Sequence, residues 1–293
     1  MSSRLTGMLM LLVTAFSWGL NWPVLKYVVG EWPPFTFRFL SGVGGASLMF
    51  TVALLRHEKL LPPSRQWGRL VLASFLNITS WMGLATLALL WLSATEAAII
   101  AYTMPIWASL LAWPVLGERP STNKIAGLAV GLGGVATLMA GQLLSAPAAA
   151  LYAKLPGVGF IMGTALMFAS GAVYTKRYPI ALPPNANLAW QILIGSTPLI
   201  VVAVLCDRWD LSRISLSGWA ALAYVVVIAL CLSYVTWFRA LKLLPASTAA
   251  VGTLLVPVIG VLSSGALLGE PLGPRQLIAL GMTVTGVALA SRP

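Results

Sequence analysis

The segment Ala94–Glu118, ATEAAIIAYTMPIWASLLAWPVLGE, returns 152 residues later as Ala246–Glu270, ASTAAVGTLLVPVIGVLSSGALLGE. Eight of the 25 aligned positions are identical, among them Ala97/Ala249, Ala98/Ala250, the mid-segment Pro105/Pro257 and the closing Leu116–Glu118/Leu268–Glu270. The same offset aligns Phe16 with Phe168, Gly19 with Gly171, Leu128 with Leu280, and Gly134–Ala136 with Gly286–Ala288. One offset holding across three pairs of segments, without an insertion, means that the chain is one unit written twice. Any fold it adopts has to accommodate both copies.

Composition decides the medium. The 293 residues are 59% hydrophobic and 9% charged, with a mean hydropathy of +0.90, whereas soluble domains carry roughly 25% charge. The apolar residues fall in long runs and not in the short alternation of an outer-membrane barrel. A hydrocarbon core of about 30 Å needs roughly 20 helical residues per crossing, and ten such segments can be read: 5–28, 34–55, 68–90, 95–117, 123–142, 157–176, 187–206, 216–238, 246–268 and 274–291. The first holds Trp18, Asn21 and Trp22 and lacks a small-residue cleavage site, so it reads as a membrane helix and not as a signal peptide. The expected fold is an all-α membrane protein with ten transmembrane helices. Residues 1–145 form the first five-helix repeat, 146–156 an extracytoplasmic linker and 157–293 the second repeat. Short connections lead to the expectation that helices adjacent in sequence are neighbours in space.

Net charge of +11 could suggest nucleic acid, but the bases sit between apolar segments, where cytoplasmic loops collect Lys and Arg. With the N-terminus inside, twelve bases fall on the cytoplasmic side and six outside, which favours both termini in the cytoplasm. No nucleic-acid partner is expected; the surroundings are a lipid bilayer. Five crossings per half is an odd number, so the second repeat enters the membrane upside down. Inverted repeats suit alternating access around a shared central cavity. Cys206 and Cys231 form no spaced metal or disulfide set, and the sole histidine, His57, lies in a charged loop. Neither a cofactor nor a metal is expected. An intramembrane enzyme would need nucleophile–base pairs or ligand clusters on facing helices, and a structural protein would leave the inverted repeat unexplained.

The run Phe16-Ser-Trp-Gly-Leu-Asn-Trp22, the triplet Phe37-Arg-Phe39, and the proline followed by Leu-Gly-Glu in the fourth and ninth segments resemble the drug/metabolite transporter superfamily, in particular its EamA-type members. The resemblance covers nearly the whole chain. It implies a bacterial inner-membrane exporter of amino acids and related metabolites, with aromatic amino-acid exporters as the comparison suggested by size and aromatic content. It also implies that segments 2, 5, 7 and 10 are peripheral while 1, 3, 4, 6, 8 and 9 surround the cavity.

On that assignment the polar and aromatic residues nominate a substrate site: Trp18, Asn21 and Trp22 in the first segment, Asn77 and Trp81 in the third, Tyr102 in the fourth, Ser170 and Tyr174 in the sixth, Tyr234 and Trp237 in the eighth. Facing lipid, their hydrogen-bonding groups would go unsatisfied. Trp32, Trp67, Trp91, Trp209 and Trp219 lie at segment ends and suit the interfacial belt. Pro105 and Pro257 free the carbonyls of Ala101 and Thr253 and are the hinge or kink candidates: equivalent proline breaks in two repeats point to a transport site, or shape the bundle as static bends. Lys26, Arg38 and Glu96 are gate candidates near the outer ends, with Glu31 or Glu96 as the acidic partner; for the two bases the alternative is snorkelling to the interface. Glu118 and Glu270 suit a capping or ion-pair role. No buried relay of acids is evident, which favours facilitated transport over tight proton coupling. A broad efflux carrier for drugs or amphipathic cations is the second transport reading. Glycine-rich faces in segments 2, 5 and 10 serve packing within a monomer or a homodimer interface.

Overall fold

In hydrocarbon every backbone amide needs a partner within the protein, and helices provide one locally. The computed structural model describes residues 3–117, 121–145, 148–208, 211–244 and 252–290. They form α1 (Ser3–Glu31), α2 (Pro34–Leu55), α3 (Ser64–Trp91), α4 (Ala94–Leu116), α5 (Thr122–Ser145), α6 (Ala148–Arg177), α7 (Pro184–Cys206), α8 (Leu216–Leu243), α9 (Leu255–Leu268) and α10 (Pro274–Ala290). No strand occurs among the described residues. Seven of the helices are long and apolar enough to cross a membrane on length and composition, with shorter apolar stretches at Ile125–Thr137 and Leu255–Leu268. Much of the segment expected as a linker is helical, since α6 begins at Ala148.

Helices adjacent in sequence pack against one another only slightly, contrary to expectation. The extensive pairings join the two halves: α5 with α10, α2 with α7, α1 with α9 and α8, and α6 with α4 and α3. A short connection brings only the helix ends together; the faces carrying small residues decide which helices pack along their length. At the α5–α10 crossing, a side chain on Gly286 would meet the Gly127 carbonyl oxygen at 2.6 Å. These glycines therefore serve packing within the chain. Exchanging the halves turns the α1–α9 contact into α6–α4 and α1–α8 into α6–α3, so the repeat in the sequence is also a repeat in the packing.

Acidic residues clamp helix starts. Glu58 accepts hydrogen bonds from Asn185 Nδ2 (2.5 Å) and the Ala186 amide (3.1 Å) at the start of α7. Asp207 accepts from the Thr36 amide (2.6 Å) and hydroxyl (2.8 Å) at the start of α2. Each helix of the α2–α7 pair is thus followed by an acid that caps its partner, where the positive end of the helix dipole favours negative charge.

One interfacial assignment fails. Trp32 is 3% exposed, donates to the Gly218 carbonyl at 3.0 Å and packs edge-on against Phe37 and Trp219. One residue past α1 it turns into the protein, because the chain reverses there into α2. Trp91 and Trp219 are exposed, Trp67 rests against Trp190, and Trp209 lies outside the described residues.

Candidate functional site

The two copies of the repeated segment break in the same place. α4 is helical over Ala94–Ala101, turns at Tyr102 and Thr103, and resumes at Met104. The corresponding turn in the second half is at Leu254, 152 residues after Tyr102. Both helices end at a glycine in the left-handed region, Gly117 (φ 76°) and Gly269 (φ 66°), which an L side chain would strain. Pro105 cannot donate to the Ala101 carbonyl; the turn tightens instead, with Thr103 donating its amide to Ile100 O at 3.1 Å and its hydroxyl to the same oxygen at 2.7 Å. α3 and α8 also widen to π-helix at equivalent places, Phe75–Thr79 and Val225–Leu232. Such interruptions cluster at functional sites.

These four interrupted helices, with α1 and α6, line two adjoining chambers of about 110 and 290 Å³ that share Trp18, Tyr102, Met104, Phe168 and Tyr234; Arg38 of α2, Ile192 of α7 and Thr283 of α10 reach them too, so these three helices are not purely peripheral as the resemblance implied. The smaller adds Asn21, Trp22, Arg38, Asn77 and Trp81; the larger adds Pro105, Trp237, Thr253, Pro257 and Thr283. Aromatic rings line them: Trp18 meets Tyr234 edge-on at 5.3 Å and Trp237 at a tilt at 5.8 Å, and Trp22 meets Trp81 and Tyr102 edge-on at 6.1 and 6.4 Å. Small-molecule sites run to roughly 300–1,000 Å³, so the two chambers together fall at the small end of that range.

Polar groups are few. Asn77 Nδ2 donates to Gln191 Oε1 at 3.0 Å, and Gln191 in turn to Asn187, so the Asn77 amide is tethered to α7. Asn21 Oδ1 is buried without a donor. Arg38 is 3% exposed; its Nε donates to Thr86 Oγ1 at 2.5 Å, and its Nη2 has no acceptor. The gate expectation placed Arg38 near an outer end, yet it sits on the cavity wall. It shares the inward face of α2 with Phe35, Ser41, Gly42 and Gly45, all buried.

Eight of the ten nominated substrate residues line the chambers, as do both prolines. Ser170 and Tyr174 do not: Ser170 returns its hydroxyl to Leu166 O at 2.8 Å, and Tyr174 stacks near Tyr178. Phe168 is the α6 residue that faces inward. Sequence reasoning named it only as a repeat position, and its counterpart Phe16 is 53% exposed. Met104 and Thr86 were not singled out and carry no sequence signal beyond their places beside Pro105 and opposite Arg38.

One end of the bundle, where α1 finishes and α4 begins, is held by charged groups. Lys26 Nζ donates to the carbonyls of Leu89 (2.6 Å) and Leu92 (2.8 Å) at the end of α3, and not to an acid as expected. Glu96 caps its own helix with Ser93 and pairs with Lys154 of α6 at 2.7 Å. Glu270 accepts the amides of Ala94 (2.7 Å) and Thr95 (2.9 Å), so the acid after α9 caps the start of α4. Its repeat counterpart, Glu118, lies outside the described residues.

Comparison with known proteins gives this geometry a lineage. The chain is 29% identical to the uncharacterized transporter YvbV of Bacillus subtilis, over 97% of this chain and 90% of that one. It is 26% identical to a Salmonella typhimurium protein named probable amino-acid metabolite efflux pump, over 97% and 94%, and 25% identical to the uncharacterized inner membrane transporter YedA of Escherichia coli, over 94% and 87%. A solved crystal structure shares the fold with a TM-score of 0.69 at 21% identity, over 99% of this chain and 96% of its own. With the EamA-like transporter family matching both halves, residues 5–140 and 155–292, the chain belongs to that family and is a multi-pass membrane transporter.

Proposed function

We propose that the protein exports small metabolites, foremost amino acids with aromatic or other apolar side chains, across a bacterial inner membrane by alternating access. The observation that carries this reading is an aromatic-walled cavity bounded by Pro105 and Pro257, equivalent prolines of the two repeats. Binding at the junction of two related halves lets one substrate site be offered to either side by rocking one half against the other. In this reading the chain crosses the membrane ten times, the second half is inverted, and both termini are cytoplasmic, following the bias of Lys and Arg between the sides. The end held by Glu270, Lys26 and the Glu96–Lys154 pair is then the outer one.

Transport is facilitated and not tightly coupled to protons, because no acidic side chain lines either chamber among the described residues. The same fact weighs against a carrier for amphipathic cations, which would need a buried carboxylate. Purified protein in liposomes is expected to release preloaded amino acids faster than protein-free liposomes, with a rate that changes little under an imposed pH gradient. Absence of flux across an amino-acid panel would sink the substrate assignment, and pH-driven accumulation would sink the uncoupled one.

A further inference from the structure

The transporter reading leaves one charge unexplained, the guanidinium of Arg38. An arginine inside a membrane protein is costly to bury and is ordinarily paired. Every described carboxylate is engaged elsewhere: Glu31 with Ser215, Glu58 with Asn185 and Ala186, Glu96 with Lys154, Asp207 with Thr36, and Glu270 with Ala94 and Thr95. The single protein partner of the Arg38 side chain among the described residues is a neutral hydroxyl, Thr86 Oγ1. That hydroxyl gives its own proton to the Met82 carbonyl at 2.6 Å, which turns a lone pair toward Arg38 Nε and fixes the guanidinium on the cavity wall. The outer edge of the guanidinium is left with a buried N–H donor and no acceptor.

We propose that Arg38 is the anion-binding residue of the cavity and that the transported molecule presents a carboxylate to it. This rests on the transporter reading and specifies the chemistry of its site. A planar guanidinium held by one edge has a donor pattern that matches the two oxygens of a carboxylate. One uncompensated positive charge suits one carboxylate, and a cationic drug would meet repulsion. Asn21 Oδ1, a buried acceptor without a donor on a wall of the same chamber, is suited to an ammonium group. Around them stand Trp18, Trp22 and Trp81, which cover an apolar side chain. An anion donor, a neutral acceptor and aromatic walls are together complementary to an α-amino acid in its zwitterionic form. Arg38 makes the carboxylate the obligatory part, with Asn21 contributing the preference for an amine. Thr86 acts as a positioning residue through Arg38.

The test uses the full chain in lipid nanodiscs and liposomes, with L-phenylalanine, its amide, 3-phenylpropanoate, phenethylamine and inorganic phosphate as probes. Binding is read by tryptophan fluorescence and by ligand-induced thermal stabilisation, and transport by efflux. L-Phenylalanine and 3-phenylpropanoate are expected to bind roughly tenfold or more tightly than the amide or phenethylamine, the scale of losing a charge-assisted hydrogen bond. Arg38→Gln is expected to erase that preference while melting no lower than the wild type without ligand, because it removes an uncompensated charge. Arg38→Lys should retain part of the preference, Thr86→Val should weaken carboxylate binding without touching the amide, and Asn21→Leu should narrow the gap between L-phenylalanine and 3-phenylpropanoate. If Arg38 were only structural, Arg38→Gln would lower the melting temperature and weaken acid and amide alike, and the assignment would fall. Amino acids and their amides moving equally would overturn the role of Arg38 and leave the exporter standing. Transport of 3-phenylpropanoate but no amino acid would keep the role of Arg38 and overturn the amino-acid assignment together with the role of Asn21. Binding of phosphate in preference to every carboxylate would overturn the ligand class, and a wild type that neither binds nor moves any carboxylate would overturn both.

Discussion

Two places in this bundle hold buried or half-buried cations, and they are treated in opposite ways. At the end where α4 begins, Lys26 is met by two carbonyls, Lys154 by Glu96, and the bare amides of α4 by Glu270. In the cavity Arg38 has one neutral partner and spare donors, and Asn21 has a carbonyl with nothing to accept. In the first region every charge has a partner, although the Thr95 hydroxyl oxygen there is buried without one. In the second, a donor of Arg38 and the acceptor of Asn21 have no protein partner, and their chemistry specifies a complementary solute. The difference lies in charge: at that end each ionised group is matched within the protein, whereas the Arg38 guanidinium has only a neutral partner.

The contrast can be broken by substitution. Arg38→Gln carries the largest expected effect, loss of most carboxylate flux with the fold retained; a variant that melts early would move Arg38 into the structural class. Next comes Glu270→Ala. Removing a helix cap costs roughly 0.5–2 kcal/mol, which should shift the closed end toward opening severalfold. Maleimide labelling of Thr95→Cys, a buried position, reads this in a background where Cys206 and Cys231 are replaced. An unchanged labelling rate would mean that Glu270 does not hold the closure. Trp18→Ala removes two aromatic contacts, with Tyr234 and Trp237, each worth about 0.5–1.5 kcal/mol beyond area. Flux of aromatic amino acids should fall severalfold relative to that of alanine or valine, and an equal fall for all would show that the ring walls do not select. Lys154→Met should matter least. Its side chain is 32% exposed, and such pairs are worth at most about 1 kcal/mol, so flux within twofold of wild type at low and high salt is expected. A larger loss would place the pair in the working gate.

The helical class, the repeat and the two breaks were legible, because a proline and a glycine leave a mark in the one-dimensional string and the 152-residue offset supplies a second copy of it. The aromatic walls were legible for a related reason: polar aromatics have few places to go in a bilayer. What was lost is rotation. Ser170 and Tyr174 lie roughly 200° and 240° around α6 from Phe168, at 100° per residue, so a list of polar residues on the right helix names the wrong side of it. Arg38 was judged by its distance from the start of α2, which suggested snorkelling, when the spacing of Phe35, Arg38, Ser41, Gly42 and Gly45 already puts it on a face of small residues that packs inward. Trp32 was judged by distance too. Neighbour relations were unreadable from loop length, which constrains one end of a helix pair and says nothing of the other.

Because each helix finds its main partner in the opposite half, the chain has a particular problem during synthesis. The first five helices are made while the helices they will pack against have yet to be translated. Until then the glycine face of α5 has no α10, and the amides at the start of α2 have no Asp207. The early half is a waiting state, and the final fold is reached only when the last helix arrives. Two halves expressed as separate chains, cut between α5 and α6, are expected to be recovered together from the membrane and each alone to be degraded. A stable first half on its own would contradict this order of assembly. Duplication here produced two copies whose main packing partners lie in each other.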